Sequence, residues 1–243
     1  MSIPKTIHYC WFGNKAKPQE LKSCIDSWHM HLSDYEIIEW NHSNYSSESY
    51  FFNFCLENKK YAFASDFARF DILNRLGGIY LDIDMLMLKS LNPLLGEDCF
   101  LGYETEDVIS CGIIASDKGH LFISEVANYL NAIHTSSYFE SHNIVSVTNF
   151  IFNKCKNSNI DKLPKIFPKD YFYSYPYNTS GNPLSFITDN SFAVHLWNAS
   201  WYSSIQRAML LYNKGEKRKA RFLFLKSLFQ NPLHIRFLRK FIC

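Results

Sequence analysis

The spacing of apolar and polar residues switches several times between the period of a strand and that of a helix. Residues 3–11 form an apolar-rich run, entered through an Ile-Pro step and closed by Phe12-Gly13, and predict a first strand. Over 17–31 the apolar positions Leu21, Ile25 and Trp28 fall on one helical face. Residues 35–41 predict a short strand that runs into a polar loop rich in Ser and Asn. From Tyr61, Phe63, Phe67, Phe70 and Leu73 recur at helical spacing and predict a core-facing helix that stops at Gly77-Gly78. Ile79, Leu81, Ile83 and Met85 then alternate with Tyr80, Asp82 and Asp84, which is the period of a strand. Strand, helix, strand, helix, strand is the order of an α/β sheet.

Further along, residues 91–95 contain Pro93 and predict a turn. Residues 100–104 and 110–116 predict two strands joined by the acidic loop 105–107. Residues 119–132 and 141–156 predict amphipathic helices. Residues 162–177 hold Pro164, Pro168 and Pro176 among Tyr and Phe and read as irregular. Residues 193–197 predict a late strand, and the remainder reads as helical and basic.

The length, 243 residues, suits one large domain, or one domain with a small appendage. Apolar residues make up 47% and charged ones 20%, enough for a sizeable core, while 17% aromatics exceed what a core ordinarily needs. No stretch approaches the 18 or so apolar residues of a membrane span. The start, MSIPKTIHYCWFG, lacks the basic-then-apolar order of a signal peptide. Seven Cys with no C-x-x-C pair read as free thiols of a reducing compartment, and without a secretory signal the sequons at Asn41, Asn44, Asn178 and Asn198 read as accidental. The net charge of +2 is unevenly placed. Residues 214–243 carry nine basic residues against Glu216 alone, and the preceding 213 carry 16 basic and 22 acidic ones. With the larger part acidic and no nucleic-acid motif present, nucleic acid is not an expected partner.

The chemistry concentrates in YAFASDFARFDILNRLGGIYLDIDM, residues 61–85. On a strand Asp82 and Asp84 would point the same way, about 7 Å apart at Cα. Two carboxylates on one side repel unless a cation or a set of donors lies between them. A hard divalent ion takes such oxygen ligands and leaves places for phosphate oxygens. Asp66 and Arg69 are neighbours on one turn if the helix runs through them. Alternatively Ser65 caps a helix that starts there. Each feature alone is common: D-x-D recurs by chance, and an Asp/Arg pair is usually a surface ion pair.

Together they resemble glycosyltransferase family 32, the DXD-containing sugar transferases related to the yeast initiating mannosyltransferases and, remotely, to the clostridial glucosylating toxins. The match is S-D-x-x-R followed by L-x-x-x-G-G-I-Y-x-D-x-D, here Ser65, Asp66, Arg69, Leu73, Gly77, Gly78, Ile79, Tyr80, Asp82 and Asp84. The opening IPKTIHYCWFG resembles the family's I-P-K-x-I-H-x-x-W-x-G, and 194–201 its late H-x-x-x-x-S-W. Where many relatives carry Asn this chain has Ser110-Cys111-Gly112, which leaves the transferred sugar open.

The resemblance implies a GT-A-type nucleotide-binding mixed sheet flanked by helices, taken here as 1–213, and the charge and apolar pattern of 214–243 add a basic amphipathic helical tail. It implies a retaining hexosyl- or N-acetylhexosaminyltransferase that uses Mn²⁺ or Mg²⁺ and a nucleotide-sugar donor, UDP-linked by preference. Asp84 and His195 are the implied metal ligands. Asp66, Arg69 and Asp82 are the implied catalytic residues, and Trp11, Tyr80, Asp82, Ser200 and Trp201 the donor contacts. His8, inside the first strand, reads as a structural histidine, and Trp197 and Trp201 also read as a packed aromatic pair. Glu104, Glu106 and Asp107 are the acids of an acceptor-side loop. The tail, with Phe222, Leu223 and Leu225 among Lys and Arg, reads as a surface for anionic membrane or as a helical pair with a basic face. The implied setting is cytoplasmic, peripheral on the inner face of the cell membrane. There the acceptor would be a glycan, with an undecaprenyl-diphosphate-linked one as the lipid-borne form, in capsule or O-antigen synthesis. The competing classes are a membrane-docked sugar-nucleotide scaffold and a D-x-D phosphatase. Leu86 stands where such a phosphatase needs Thr or Val.

Overall fold

A computed structural model describes residues 3–13, 16–134, 143–158, 162–177, 179–198, 204–213 and 215–230. Its contacts group the chain into two units. The first is 1–174 with 187–196, and the second is 175–186 with 197–243.

The first unit is built on a six-stranded mixed sheet in the order β2-β1-β3-β6-β5-β7. Its strands are β1 (Thr6–Cys10), β2 (Glu36–Trp40), β3 (Gly78–Leu81), β5 (Cys99–Tyr103), β6 (Ile109–Ser116) and β7 (Lys165–Phe167). β1 runs parallel to β2 and β3, β6 runs antiparallel to β3 and β5, and β7 is parallel to β5. A separate two-stranded ribbon pairs β4 (Met85–Met87) with β8 (Ala193–His195), antiparallel, with Met85 opposite His195. The expected mixed α/β sheet is therefore present.

Helices α1 (Gln19–His31), α2 (Tyr50–Glu57), α3 (Tyr61–Leu76), α4 (Leu121–Asn131) and α5 (Ile144–Asn157) complete this unit. The main core joins Phe51 and Phe52 of α2, Phe67, Phe70 and Leu73 of α3, and Phe122 and Val126 of α4 to Ile114 and Cys111 of the sheet. Gly78 lets β3 lie close to β1. Its φ is +99°, and a Cβ there would meet Thr6 O and His8 Nε2 at 2.8 Å. His8 is structural, as expected. It is buried, Trp40 Nε1 donates to its Nδ1 at 3.2 Å, and its Nε2 lies 3.0 Å from Gly77 O. Burial lowers its pKa to about 4, against the opposing bond to Gly77. The six described cysteines are all free and buried.

Three expectations change and one helix is added. The strand after Gly77-Gly78 ends at Leu81, so Asp82–Asp84 do not continue it. They form a turn closed by Met85 N–H donating to Asp82 O at 3.0 Å, and β4 leaves for the other sheet. Ser65 caps nothing; it lies inside α3 and its hydroxyl donates to Tyr61 O at 3.0 Å. The polar loop after β2 is present over 41–49, and the helix that follows it, α2, is capped by Ser49, whose side chain accepts from Phe52 N–H. The supposedly irregular 162–177 supplies edge strand β7.

In the second unit, α6 (Ser204–Asn213) and α7 (Lys217–Gln230) pack as a pair through Ile205, Ala208, Ala220 and Phe224. Among the described residues no helix is long and apolar enough to cross a membrane.

Candidate functional site

The site lies where β3 ends. β1 and β3 are parallel with Ile7 opposite Ile79 and His8 opposite Tyr80, so Trp11, Asp82 and Asp84 all follow the carboxyl ends of neighbouring strands. That edge of an α/β sheet is where ligands bind.

Arg69 organises the floor. It is 5% exposed, and every part of its guanidinium is engaged. Nη2 lies 2.8 Å from Asp66 Oδ1 and 3.3 Å from Asp82 Oδ1, and Nη1 donates to Cys111 O at 2.7 Å. Its Cζ sits 4.5 Å from the Tyr80 ring centroid. Burial works against this charge, but Asp82, Tyr80 and Asp66 more than restore it, so the guanidinium stays protonated. Burial also pushes the Asp66 carboxyl up to about 7, with Arg69 opposing and Asp82 adding to the rise. Arg69 thus joins α3, the β3–β4 turn and β6. Tyr80 donates its hydroxyl to Asp82 Oδ1 at 3.1 Å.

Asp84 is 2% exposed and His195 5%. His195 Nε2 lies 3.1 Å from Asp84 Oδ1. Burial would lower the imidazole pKa, yet the charge and hydrogen bond of Asp84 outweigh it and hold it above its ordinary value. The backbone fixes the pair as well: Leu196 N–H donates to Asp84 O at 3.0 Å, and His195 N–H to Phe172 O at 3.1 Å. One ligand atom each from Asp82, Asp84 and His195 lie within 4.8 Å of one another. The two aspartates therefore converge through a turn, not through a shared strand face.

The donor set fits a divalent ion. Two carboxylates and an imidazole suit Mn²⁺ and are compatible with Mg²⁺. Gly112 leaves room beside them, for a Cβ there would stand 3.3 Å from Asp82 Oδ2, 3.6 Å from His195 Cε1 and 3.1 Å from the Tyr173 hydroxyl. The carbonyl of Gly112 accepts the Asp82 N–H at 2.7 Å. Tyr173 is buried, accepts Ile113 N–H at 3.0 Å, and sets its ring edge-on to His195. Sequence reasoning did not find Tyr173; it is one aromatic among several in a proline-rich stretch, and only the fold singles it out.

Trp11 is half-buried at the end of β1, its N–H donating to Trp40 O at 2.9 Å, with Lys17 Nζ 5.8 Å from its ring. Glu104 adds to the negative field on His195, while Glu106 is ion-paired with Lys169. Ser200 and Trp201 lie outside the described residues.

The strand ends of the mixed α/β sheet thus gather an Asp-x-Asp turn, a buried Asp/Arg pair and a late histidine. Residues 18–101 match the family described as glycosyltransferase sugar-binding region containing DXD motif. Inositol phosphoceramide mannosyltransferase 3 of Schizosaccharomyces pombe is 29% identical over 67% of this chain and 47% of its own length. An uncharacterized glycosyltransferase, L373, of Acanthamoeba polyphaga mimivirus is 27% identical over 86% of this chain and 88% of its own. Lactosylceramide 4-alpha-galactosyltransferase of Rattus norvegicus is 26% identical over 55% of this chain and 40% of its own. The chain thus spans less than half of the yeast and rat proteins it matches. Among solved structures, the PaToxG glycosyltransferase aligns over 65% of this chain and 75% of its own, at 19% identity and a TM-score of 0.49.

Proposed function

We propose that this chain transfers a sugar from a nucleotide-diphosphate donor, UDP-linked by preference, to a glycan acceptor carried on lipid, with retention at the anomeric carbon. The observation that carries the reading is the convergence of Asp82, Asp84 and His195 within 4.8 Å, the two aspartates on a turn inside the matched DXD region and the histidine on β8 beside it. Asp84 and His195, with Asp82 beside them, would hold Mn²⁺ or Mg²⁺. When bound, such an ion supplies Lewis-acid stabilisation for the diphosphate leaving group.

The chain's own residues do the rest. Asp66 accepts hydrogen bonds from sugar hydroxyls. Arg69, whose donors are directed at Asp66, Asp82 and Cys111 O, orients both carboxylates. Tyr80 fixes one oxygen of Asp82, leaving the other for the donor. Trp11 offers an aromatic face to the base at the neighbouring strand end. Ser200 and Trp201 enter from their motif alone, as diphosphate contacts.

The names of two relatives contain ceramide lipids, which supports a lipid-borne acceptor. The finer reading is a surface glycan, capsule or O-antigen, on an undecaprenyl diphosphate. A catalytic part over 1–213 would then work at the inner face of the membrane, reached through a basic tail over 214–243.

The test is nucleotide release with Mn²⁺ across UDP-, GDP- and dTDP-sugars, for the wild-type chain and Asp84→Ala. Selective release from one donor, abolished by the substitution, is expected. Absence of metal-dependent binding of any donor overturns the reading. NMR of the product's anomeric configuration tests retention.

A further inference from the structure

Among the described residues, helix α7 buries one apolar face and leaves large apolar side chains exposed on another. Ala220, Phe224 and Ser227 are buried, and Ala220 and Phe224 pack against Ile205 and Ala208 of α6. On the other side Phe222 is 69% exposed and Leu225 is 55% exposed. Residues three and four apart share a helical face. Arg218 and Arg221 therefore precede Phe222 and Leu225 by one turn, and Lys226 follows Phe222 by one turn. All three basic residues are exposed.

The charge on this helix is of one sign. Its sequence, KRKARFLFLKSLFQ, carries five basic residues and no acid. The nearest acid, Glu216, is held by Lys219 at 2.7 Å. A single exposed Phe or Leu needs no explanation. Two of them, adjacent and bordered by cations, need a partner that accepts apolar groups and supplies negative charge at its surface. A second copy of this face brings like charge against like. A nucleic acid supplies the charge but offers nothing to an exposed Leu. An anionic bilayer supplies both, because its headgroups are charged and its interface takes up aromatic and aliphatic side chains.

We infer that this face of α7 docks on an anionic lipid surface. Phe222 and Leu225 enter the interface, and Arg218, Arg221 and Lys226 meet the headgroups. The inference rests on the peripheral setting proposed above and names the surface that produces it.

Flotation of the full chain with phosphatidylcholine vesicles, with and without phosphatidylglycerol, tests it. Wild type is expected to bind the anionic vesicles at least about tenfold better than neutral ones, and less well as salt rises. Phe222→Glu with Leu225→Glu should lower that binding about tenfold or more while the melting temperature stays unchanged, since both side chains are exposed. Arg218→Gln, Arg221→Gln and Lys226→Gln together should erase the preference for anionic lipid. Undiminished binding by the double Glu variant overturns this face and leaves the peripheral setting standing. Failure of wild type to bind any vesicle overturns both. Equal binding to neutral vesicles, or preference for a short oligonucleotide over anionic vesicles, overturns the anionic-lipid assignment.

Discussion

Tyr173 stands edge-on to His195, with ring centroids 5.7 Å apart and planes at 80°, while its hydroxyl accepts the Ile113 N–H of β6. One side chain thereby ties the histidine of the small ribbon to the central strand of the large sheet. Groups that orient a metal ligand from behind commonly account for about 10–100-fold in affinity. Tyr173→Ala should weaken Mn²⁺ binding by about that factor, and Tyr173→Phe, which keeps the ring, by less. Calorimetric titration of Mn²⁺ checks both. Equal affinity for all three proteins would leave the tyrosine a core residue only.

Gly112→Ala places a methyl 3.3 Å from Asp82 Oδ2 and 3.1 Å from the Tyr173 hydroxyl. The expected result is reduced Mn²⁺ affinity with a smaller effect on folding, because the crowded atoms are those of the site. Titration of the ion alongside a urea melt separates the two effects.

Removing the Arg69 charge leaves Asp66 and Asp82 facing each other across a buried gap. Breaking a buried ion pair from one side costs about 3–5 kcal/mol. Arg69→Met should lose stability of that order in urea unfolding. A loss below about 1 kcal/mol would mean that water already screens the pair.

His8 gives the fold a pH dependence. Its native pKa is lowered from 6.5 to about 4 by burial. Between those values the unfolded chain takes up a proton that the native one refuses, so native stability is full above pH 6.5 and falls as pH drops toward 4. The contribution is about 3 kcal/mol, from 1.36 kcal/mol per pKa unit. His8→Gln cannot take up that proton, so its urea-melt stability should vary less over this range; an unchanged slope would assign the effect to other groups.

Short apolar-rich runs located β1, β2, β5, β6 and β8, of which β6 and β8 are buried on both faces, and helical spacing located α1, α3, α4 and α5. Both were less successful where local chemistry competes with period. Ile79 to Met85 alternate as a strand should, yet the turn at Asp82–Asp84 hands Met85 to a different sheet, and alternation carries no record of which partner a residue faces. Helix α2 was hidden because Ser49 looks like loop until Phe51, Phe52 and Cys55 are seen to be buried behind it. Edge strand β7 is three residues long between prolines, too short for any period. The Asp66, Arg69, Asp82, Asp84 and His195 positions were legible as motif. The engagement of Arg69 with its neighbours and the part of Tyr173 were not, since both depend on residues distant in sequence.

Asp84 and His195 touch although 111 positions separate them, and the ribbon that joins them is the last strand pairing described in the chain. Every strand of the large sheet precedes β8 in sequence. A ribosome therefore delivers the whole sheet before it delivers His195. A nascent chain can lay down the whole large sheet with Asp82 and Asp84 in place, and the cluster closes only once β8 has followed.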